Sequence, residues 1–262
     1  MISLENILIS STLYLFLHFK THIRLKFLLI DNFAVIVLNT ITAFLFFKVL
    51  ENLGIVIFLN LFFVLFFAFV FTMIRFWHTP KRQCRCNSNE IISPADGRII
   101  YIKKIESENI PISIKKNRAT KLIELTKTDL LKSSCWLIGI NMTLFDVHKN
   151  AAPISGKVLL NKHFDGSFFS LKQFESITEN ERNTIVLQNE SATIGIVQTA
   201  SRLVKRIDTY VKEGENINQG EWLGMIRFGS QVDLIIPANA EIKVKEGDQV
   251  FAVQTIIATI KN

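Results

Sequence analysis

Cysteine is scarce in this chain. Cys84, Cys86 and Cys135 are an odd three in 262 residues, which gives no secreted disulfide framework and suits a reducing compartment. Cys84-Arg85-Cys86 stands near His78, but a four-ligand pattern is missing and no metal site is expected. A signal-peptide pattern is missing too: Glu5 precedes the first apolar run, Lys20, His22, Arg24 and Lys26 lie at its end or after it, and no small-residue cleavage site is present. The formal net charge of +7 comes without aromatic interleaving or a recognition helix, which argues against nucleic acid as a partner. Attraction to an anionic membrane is the simpler account.

Apolar length is concentrated at the start. Residues 1–30 alternate apolar runs with basic residues and read as an interfacial arm. Phe33 to Phe47 and Ile55 to Ile74 are two largely apolar runs, the second long enough at about 1.5 Å per residue to span a hydrocarbon layer of about 30 Å. The first is short unless Phe27 to Ile30 extends it. Residues 31–76 therefore predict a two-helix membrane anchor. Arg24 and Lys26 precede the hairpin and Arg75, Lys81, Arg82 and Arg85 follow it, which places both ends on the cytoplasmic face of the membrane. A basic linker covers residues 77–90.

From residue 91 to 262 the pattern changes to short β-rich runs: Arg98–Ile102, Ile110–Ile114, Leu122–Leu125, Cys135–Ile140, Gly156–Leu160, Thr184–Leu187 and Thr193–Gln198. Gly, Asn, Asp and Pro punctuate them, and no strands alternate with long helices. A helix is expected only near Ser201 to Arg206 or in short connections. The fold class is mainly β and antiparallel, either a sandwich of two sheets or a partly open barrel. Val211-Lys212-Glu213-Gly214-Glu215-Asn216-Ile217 recurs as Val244-Lys245-Glu246-Gly247-Asp248-Gln249-Val250, offset by 33 residues. These units resemble lipoyl-like and biotinyl-type hairpins, although no lysine sits in their modification motif.

The candidate chemistry centres on Gly229-Ser230. A glycine before a serine tolerates the strained geometry that lets a hydroxyl fold back on the preceding carbonyl. Ser93-Pro94-Ala95-Asp96-Gly97 and Phe145-Asp146-Val147-His148-Lys149-Asn150 offer an acid and a base. His148, with an unperturbed pKa of about 6.5, is the candidate base, and Asp96 the residue that orients its imidazole. Taken alone, Asp96-Gly97 is an ordinary turn and a lone histidine at a strand end is usually structural. Ile226 to Leu234 lacks the Gly-x-Ser-x-Gly elbow of a triad hydrolase.

Four ordered blocks carry a resemblance: Ser93 to Ile99, Val147 to Val158, Glu179 to Asn183, and Gly224 to Pro237. On them the chain resembles the phosphatidylserine decarboxylases of the short bacterial and archaeal type. The resemblance implies self-cleavage between Gly229 and Ser230 into chains 1–229 and 230–262 that stay together. It implies a pyruvoyl cofactor made from Ser230, and decarboxylation of phosphatidylserine to phosphatidylethanolamine by a catalytic domain on the cytoplasmic face of a bacterial inner membrane. It also implies a substrate or proton role for His163. One departure stands out: the family usually has arginine where Ala151 stands, which puts its anchoring job in doubt. Other readings stay open: a pyruvoyl decarboxylase of another headgroup or of a soluble amino acid, or an inactive membrane scaffold. Homo-oligomerisation is left undecided.

Overall fold

The computed structural model describes residues 2–21, 25–46, 52–84, 86–106, 112–115, 118–120, 122–131, 134–167, 169–171, 173, 175–201, 206–227 and 230–261. They fall into two compact units, Met1–His78 and Thr79–Asn262.

The first unit is helical: α1 (Ile2–Thr21), α2 (Leu25–Phe46) and α3 (Leu53–Trp77). Asn52 caps α3 by accepting from Gly54 N (3.0 Å) and Ile55 N (3.2 Å). α2 begins upstream of Phe27, so the short first run is lengthened as its flank allowed. Residues 28–46 and 53–77 are each long and apolar enough to cross a membrane. Some polar side chains pair between helices, Asn39 Nδ2 with Asn6 Oδ1 (2.7 Å) and Arg75 in a fork on Asp31 (2.6 Å to each oxygen). Phe33, Phe44, Phe58, Phe62 and Phe69 point outward.

The second unit contains β1 (Glu90–Ile92), β2 (Gly97–Ile105), β3 (Ile112–Lys115), β4 (Arg118–Thr120), α4 (Leu122–Thr126), β5 (Cys135–Met142), β6 (Lys149–Ala151), β7 (Gly156–Phe164) and α5 (Ser176–Glu179). It continues with β8 (Arg182–Gln188), β9 (Thr193–Ala200), β10 (Ile207–Thr209), β11 (Asn216–Ile217), β12 (Trp222–Ile226), β13 (Ser230–Pro237), β14 (Ala240–Ile242), β15 (Gln249–Val250) and β16 (Ile256–Ile260). The fold is mainly β, with large antiparallel sheets. One expected strand is a helix. Leu122–Leu125 forms α4 because its final carbonyls find side-chain donors: Arg182 Nη1 donates to Leu125 O (3.0 Å) and Thr184 Oγ1 to Thr126 O (2.7 Å). Of the helix expected near 201–206, residues 202–205 lie outside the described residues. Cys84 and Cys86 are joined in a disulfide with Cα atoms 5.5 Å apart, so the pair expected as free thiols is bonded. Cys135 is free and buried, and burial pushes its thiol up to about 11.

The eight-stranded sheet runs β11-β7-β8-β9-β13-β5-β2-β15, and two three-stranded sheets run β10-β12-β6 and β14-β16-β1. Read outward from the central β9/β13 pair, the order on one side repeats on the other. Both Val-Lys-Glu-Gly units close an edge of the large sheet with the same bonds. Gly214 N donates to Val158 O and Gly247 N to Ile99 O, both 2.8 Å, while Val158 N returns to Glu215 O and Ile99 N to Asp248 O. Gly214 and Gly247 adopt φ of +86° and +89°, which a side chain would strain. β2 and β7 carry bulges at matching places, Ile99/Tyr101 and Val158/Leu160. The repeat thus extends far beyond its seven-residue signature. An inner half, β6 to β12, is inserted between β5 and β13 of an outer half made of β1, β2, β5 and β13 to β16.

Strand alternation sends Val232, Leu234 and Ile236 of β13 into the larger apolar core, and Ile235 into a second cluster with Leu122, Leu125 and Val197 on the opposite face. Ile226 ends β12 in a three-stranded sheet, and Val232 lies in β13 of the large sheet.

Candidate active site

Ser230 opens β13 at the middle of the large sheet, paired with Met142 on one side and Ala200 on the other. It is fully buried, and its Oγ lies 3.4 Å from Met142 Sδ. Phe228 and Gly229 lie outside the described residues.

The chain leaves Met142 through a turn that ends at His148. Asp146 shapes that turn: its carboxylate accepts from Thr143 N (2.7 Å) and Thr143 Oγ1 (2.9 Å). Burial raises the Asp146 carboxyl above the ordinary range, with the Thr143 hydrogen bonds pulling the other way. The Asp146 carbonyl lies 2.8 Å from His148 Nδ1. A carbonyl only accepts, so Nδ1 carries the proton and Nε2 keeps a basic lone pair. His148 is fully buried, and burial lowers its pKa to about 4. The imidazole is neutral at pH 7.

The charge of Asp96 adds to the rise of the Asp146 carboxyl, so Asp96 stands near this turn. Arg82 grips Asp96 in a fork, with Nη2 donating to Oδ2 at 2.7 Å and Nη1 donating to Oδ1, and Ala252 N donates to Oδ1 at 2.8 Å. His148 Nδ1 thus meets a backbone carbonyl, while the described hydrogen bonds of the Asp96 carboxylate go to Arg82 and Ala252. In the inner half the corresponding turn is capped by Ser155, whose Oγ accepts from Gln219 N (2.9 Å). A hydroxyl suffices for the turn; charge at Asp96 and its arginine are additional. His163 sits on β7, three strands from β13 and so about 14 Å across the sheet. Its half-exposed imidazole lies 3.5 Å from Glu181 Oε1 and 3.6 Å from Asp165 Oδ1.

The structure adds a row of amides. Asn161 Nδ2 donates to Val211 O (2.7 Å), Asn183 Nδ2 to Asn161 Oδ1 (2.9 Å) and to Gln198 Oε1 (3.1 Å), and Gln198 Nε2 to Asn150 Oδ1 (2.7 Å). Asn150 Nδ2 then approaches Met142 Sδ at 3.9 Å, the sulfur that Ser230 also faces. A Cβ on Gly224 would come 2.4 Å from Asp208 O and 3.4 Å from Gln198 Nε2, so that position has to be glycine. A sequence signal for this row exists: Asn183 and Gln198 occupy core positions in the alternation of β8 and β9.

On the reverse face of β13, Tyr101 Oη donates to Asp233 Oδ1, and Gln231 Nε2 donates to Tyr101 Oη (2.9 Å) and to Asp233 Oδ1 (2.9 Å). Burial, reinforced by Asp233, holds the Tyr101 phenol well above its ordinary value.

The phosphatidylserine decarboxylase family model matches residues 69–258. The chain belongs to the phosphatidylserine decarboxylase family. A chain from Methanocaldococcus jannaschii provisionally named archaetidylserine decarboxylase proenzyme is 42% identical over 185 residues, 70% of this chain and 87% of the relative. One of the same provisional name from Methanothermobacter thermautotrophicus is 38% identical over 74% of this chain and 83% of its own length. A phosphatidylserine decarboxylase proenzyme from Burkholderia ambifaria is 32% identical over 72% of this chain and 79% of the relative. As a member of this decarboxylase family, the chain has the four blocks from Ser93 to Pro237 inside the matched region.

The surroundings of Ser230 suit the pyruvoyl group that such a family implies. The contacts of its side chain are a thioether and, through it, an amide, so a neutral ketone in place of the hydroxyl would strand no charge.

Proposed function

We propose that the chain is a self-processing, membrane-anchored decarboxylase of serine-headgroup phospholipids, converting phosphatidylserine to phosphatidylethanolamine with a pyruvoyl group made from Ser230. The observation that carries this reading is the state of His148. Burial keeps its imidazole neutral and the Asp146 carbonyl commits Nδ1, leaving Nε2 as a base on the turn that starts from the cross-strand neighbour of Ser230.

In the first stage Ser230 Oγ attacks the Gly229 carbonyl while His148 Nε2 takes the hydroxyl proton, and the peptide becomes an ester. Loss of the serine α-proton expels the Gly229 carboxylate, and hydrolysis with loss of ammonia completes the group. When formed, that group supplies an electron sink for the pair left by departing CO₂. In the second stage His148 Nε2 returns the proton to the product carbon, since a base in one step is an acid in the reverse sense. Asp96, neutralised by Arg82, holds the turn at 251–255 and so the outer edge of the site. His163 is assigned to the incoming headgroup.

Helices α2 and α3 are the membrane anchor, with both ends on the cytoplasmic face and the catalytic domain, residues 91–262, after the linker. The hairpin units act as scaffold, in the lipoyl-like manner their sequence suggests. After scission, chains 1–229 and 230–262 stay together.

The test is a denaturing gel of chain tagged at both ends. Two fragments with a blocked new N-terminus are expected, and a single intact chain for Ser230→Ala and for His148→Ala. Vesicles of phosphatidylserine and of archaetidylserine are then offered to the processed protein, and loss of the serine carboxylate is measured. An unbroken parent chain with an ordinary seryl residue at 230 would overturn the proposal.

A further inference from the structure

Asn150 ends a row of amides whose direction is set far from Ser230. The carbonyl of Val211 can only accept, so Asn161 presents its NH₂ there and its oxygen to Asn183. Asn183 therefore presents NH₂ to both Asn161 and Gln198, Gln198 presents NH₂ to Asn150, and the Asn150 oxygen is consumed. The NH₂ of Asn150 is turned toward Met142 Sδ, a weak acceptor that it shares with Ser230 Oγ. Asn150, Asn183 and Gln198 are fully buried, and a buried strong donor aimed at a thioether is under-used in the chain as it stands.

The duplicated halves supply an internal control. The cross-strand pair Asn183/Gln198 of the inner half is Trp136/Ile236 in the outer half, Asn161/Ile185 is Ile102/Ile138, and Asn150/Gly224 is Ile91/Ala258. The same architecture is thus built with apolar residues at all four amide positions, so the amides are not a requirement of the fold.

We propose that Asn150 Nδ2 is the hydrogen-bond donor for the oxygen that becomes negatively charged when Ser230 Oγ adds to the preceding carbonyl, and that Gln198, Asn183 and Asn161 are its positioning residues. The inference rests on the self-processing reading above. In that step the Oγ–C bond forms as the carbonyl π pair moves onto oxygen and His148 Nε2 takes the Oγ proton. Collapse re-forms the carbonyl, breaks the C–N bond, and delivers the proton to the Ser230 amine. An aligned donor strengthens as charge gathers on that oxygen, which is the condition for lowering the barrier.

The experiment follows self-cleavage of the full chain in detergent as a first-order rate on denaturing gels. Asn150→Leu, which copies the apolar choice of the outer half, is expected to keep or raise the melting temperature and to slow scission about 10²–10³-fold. Asn150→Asp still accepts from Gln198 but has no donor left, and the same slowing is expected. Gln198→Leu leaves the Asn150 amide unoriented and should slow scission about tenfold. Hydroxylamine, which cleaves esters, should not restore fragment release in Asn150→Leu, because the block precedes the ester. Folded Asn150→Leu or Asn150→Asp chains that cut within about threefold of the parent would overturn the proposal, as would rapid hydroxylamine release from either. Because each rate is measured relative to a parent that cuts itself, failure of the self-processing reading shows separately, as an intact parent.

Discussion

The inner and outer halves of the β unit have one architecture and divided labour. The outer half holds Ser230 at the start of β13, where the inner half has the Asn189–Ala192 turn joining β8 to β9. The inner half holds His148, where the outer half has Asn89; Ile226 N donates to the carbonyl of the one and Ile260 N to that of the other. The amide row belongs to the inner half and Asp96 to the outer. Positions that match in chemistry, such as Gly214 and Gly247, are those the fold requires. Positions that differ while the backbone stays the same mark where something besides folding set the residue.

The comparison can be broken most severely at the serine. Ser230→Ala removes the nucleophile, and complete loss of scission on a denaturing gel is expected, while adding the inner counterpart Ala192→Ser to that variant should create no cut in its place. Next comes the linker arginine. The Arg82 and Asp96 side chains are 10% and 4% exposed, and taking away one partner of such a pair typically costs about 3–5 kcal/mol. Arg82→Leu should therefore lower the urea midpoint of an uncleaved Ser230→Ala background markedly. Adding Asp96→Ser, the cap used by the inner half, should recover most of the loss. Arg82→Leu without a midpoint shift would show that the fork is superficial.

A smaller effect is expected from acid. The folded-state pKa of His148, about 4, lies below the about 6.5 of an unfolded chain. Its contribution to stability is complete above about pH 6.5 and is lost as pH falls toward 4, because the unfolded state binds the proton first. Scission should hold its neutral rate to about pH 5 and fall by half near pH 4. An acid limb at about pH 6.5 in the pH–rate profile would mean that the imidazole is solvated. Smallest are the edge glycines. A Cβ on Gly214 or Gly247 meets nothing within 4 Å, so alanine at either should cost about 1 kcal/mol through φ alone, equally at both by chemical denaturation.

Local pattern carried part of this. Apolar runs marked α2 and α3, alternation marked most strands, and four ordered blocks marked the family. The pairing of β5 with β13 joins Met142 to Ser230 across the whole inner half, and no window of neighbouring residues encodes it. Leu122–Leu125 reads as β by composition and is helical because Arg182 and Thr184 wait for its carbonyls. Asp96 was legible as a buried acid, while its partner came from the linker, which reads as a membrane flank. The amides were visible one by one as polar interruptions; their common direction needed Val211 O in three dimensions.

Residues 230–262 bring β13, β14, β15 and β16, and β13 lies between β9 and β5, β15 beside β2, and β16 beside β1. A nick ahead of Ser230 therefore releases nothing: the short fragment is the keel plank of the larger one, clasped along both sides, and prising it out would expose the whole apolar interior. Such a molecule can sacrifice one covalent link to obtain a new chemical end at its centre and still behave as a single body.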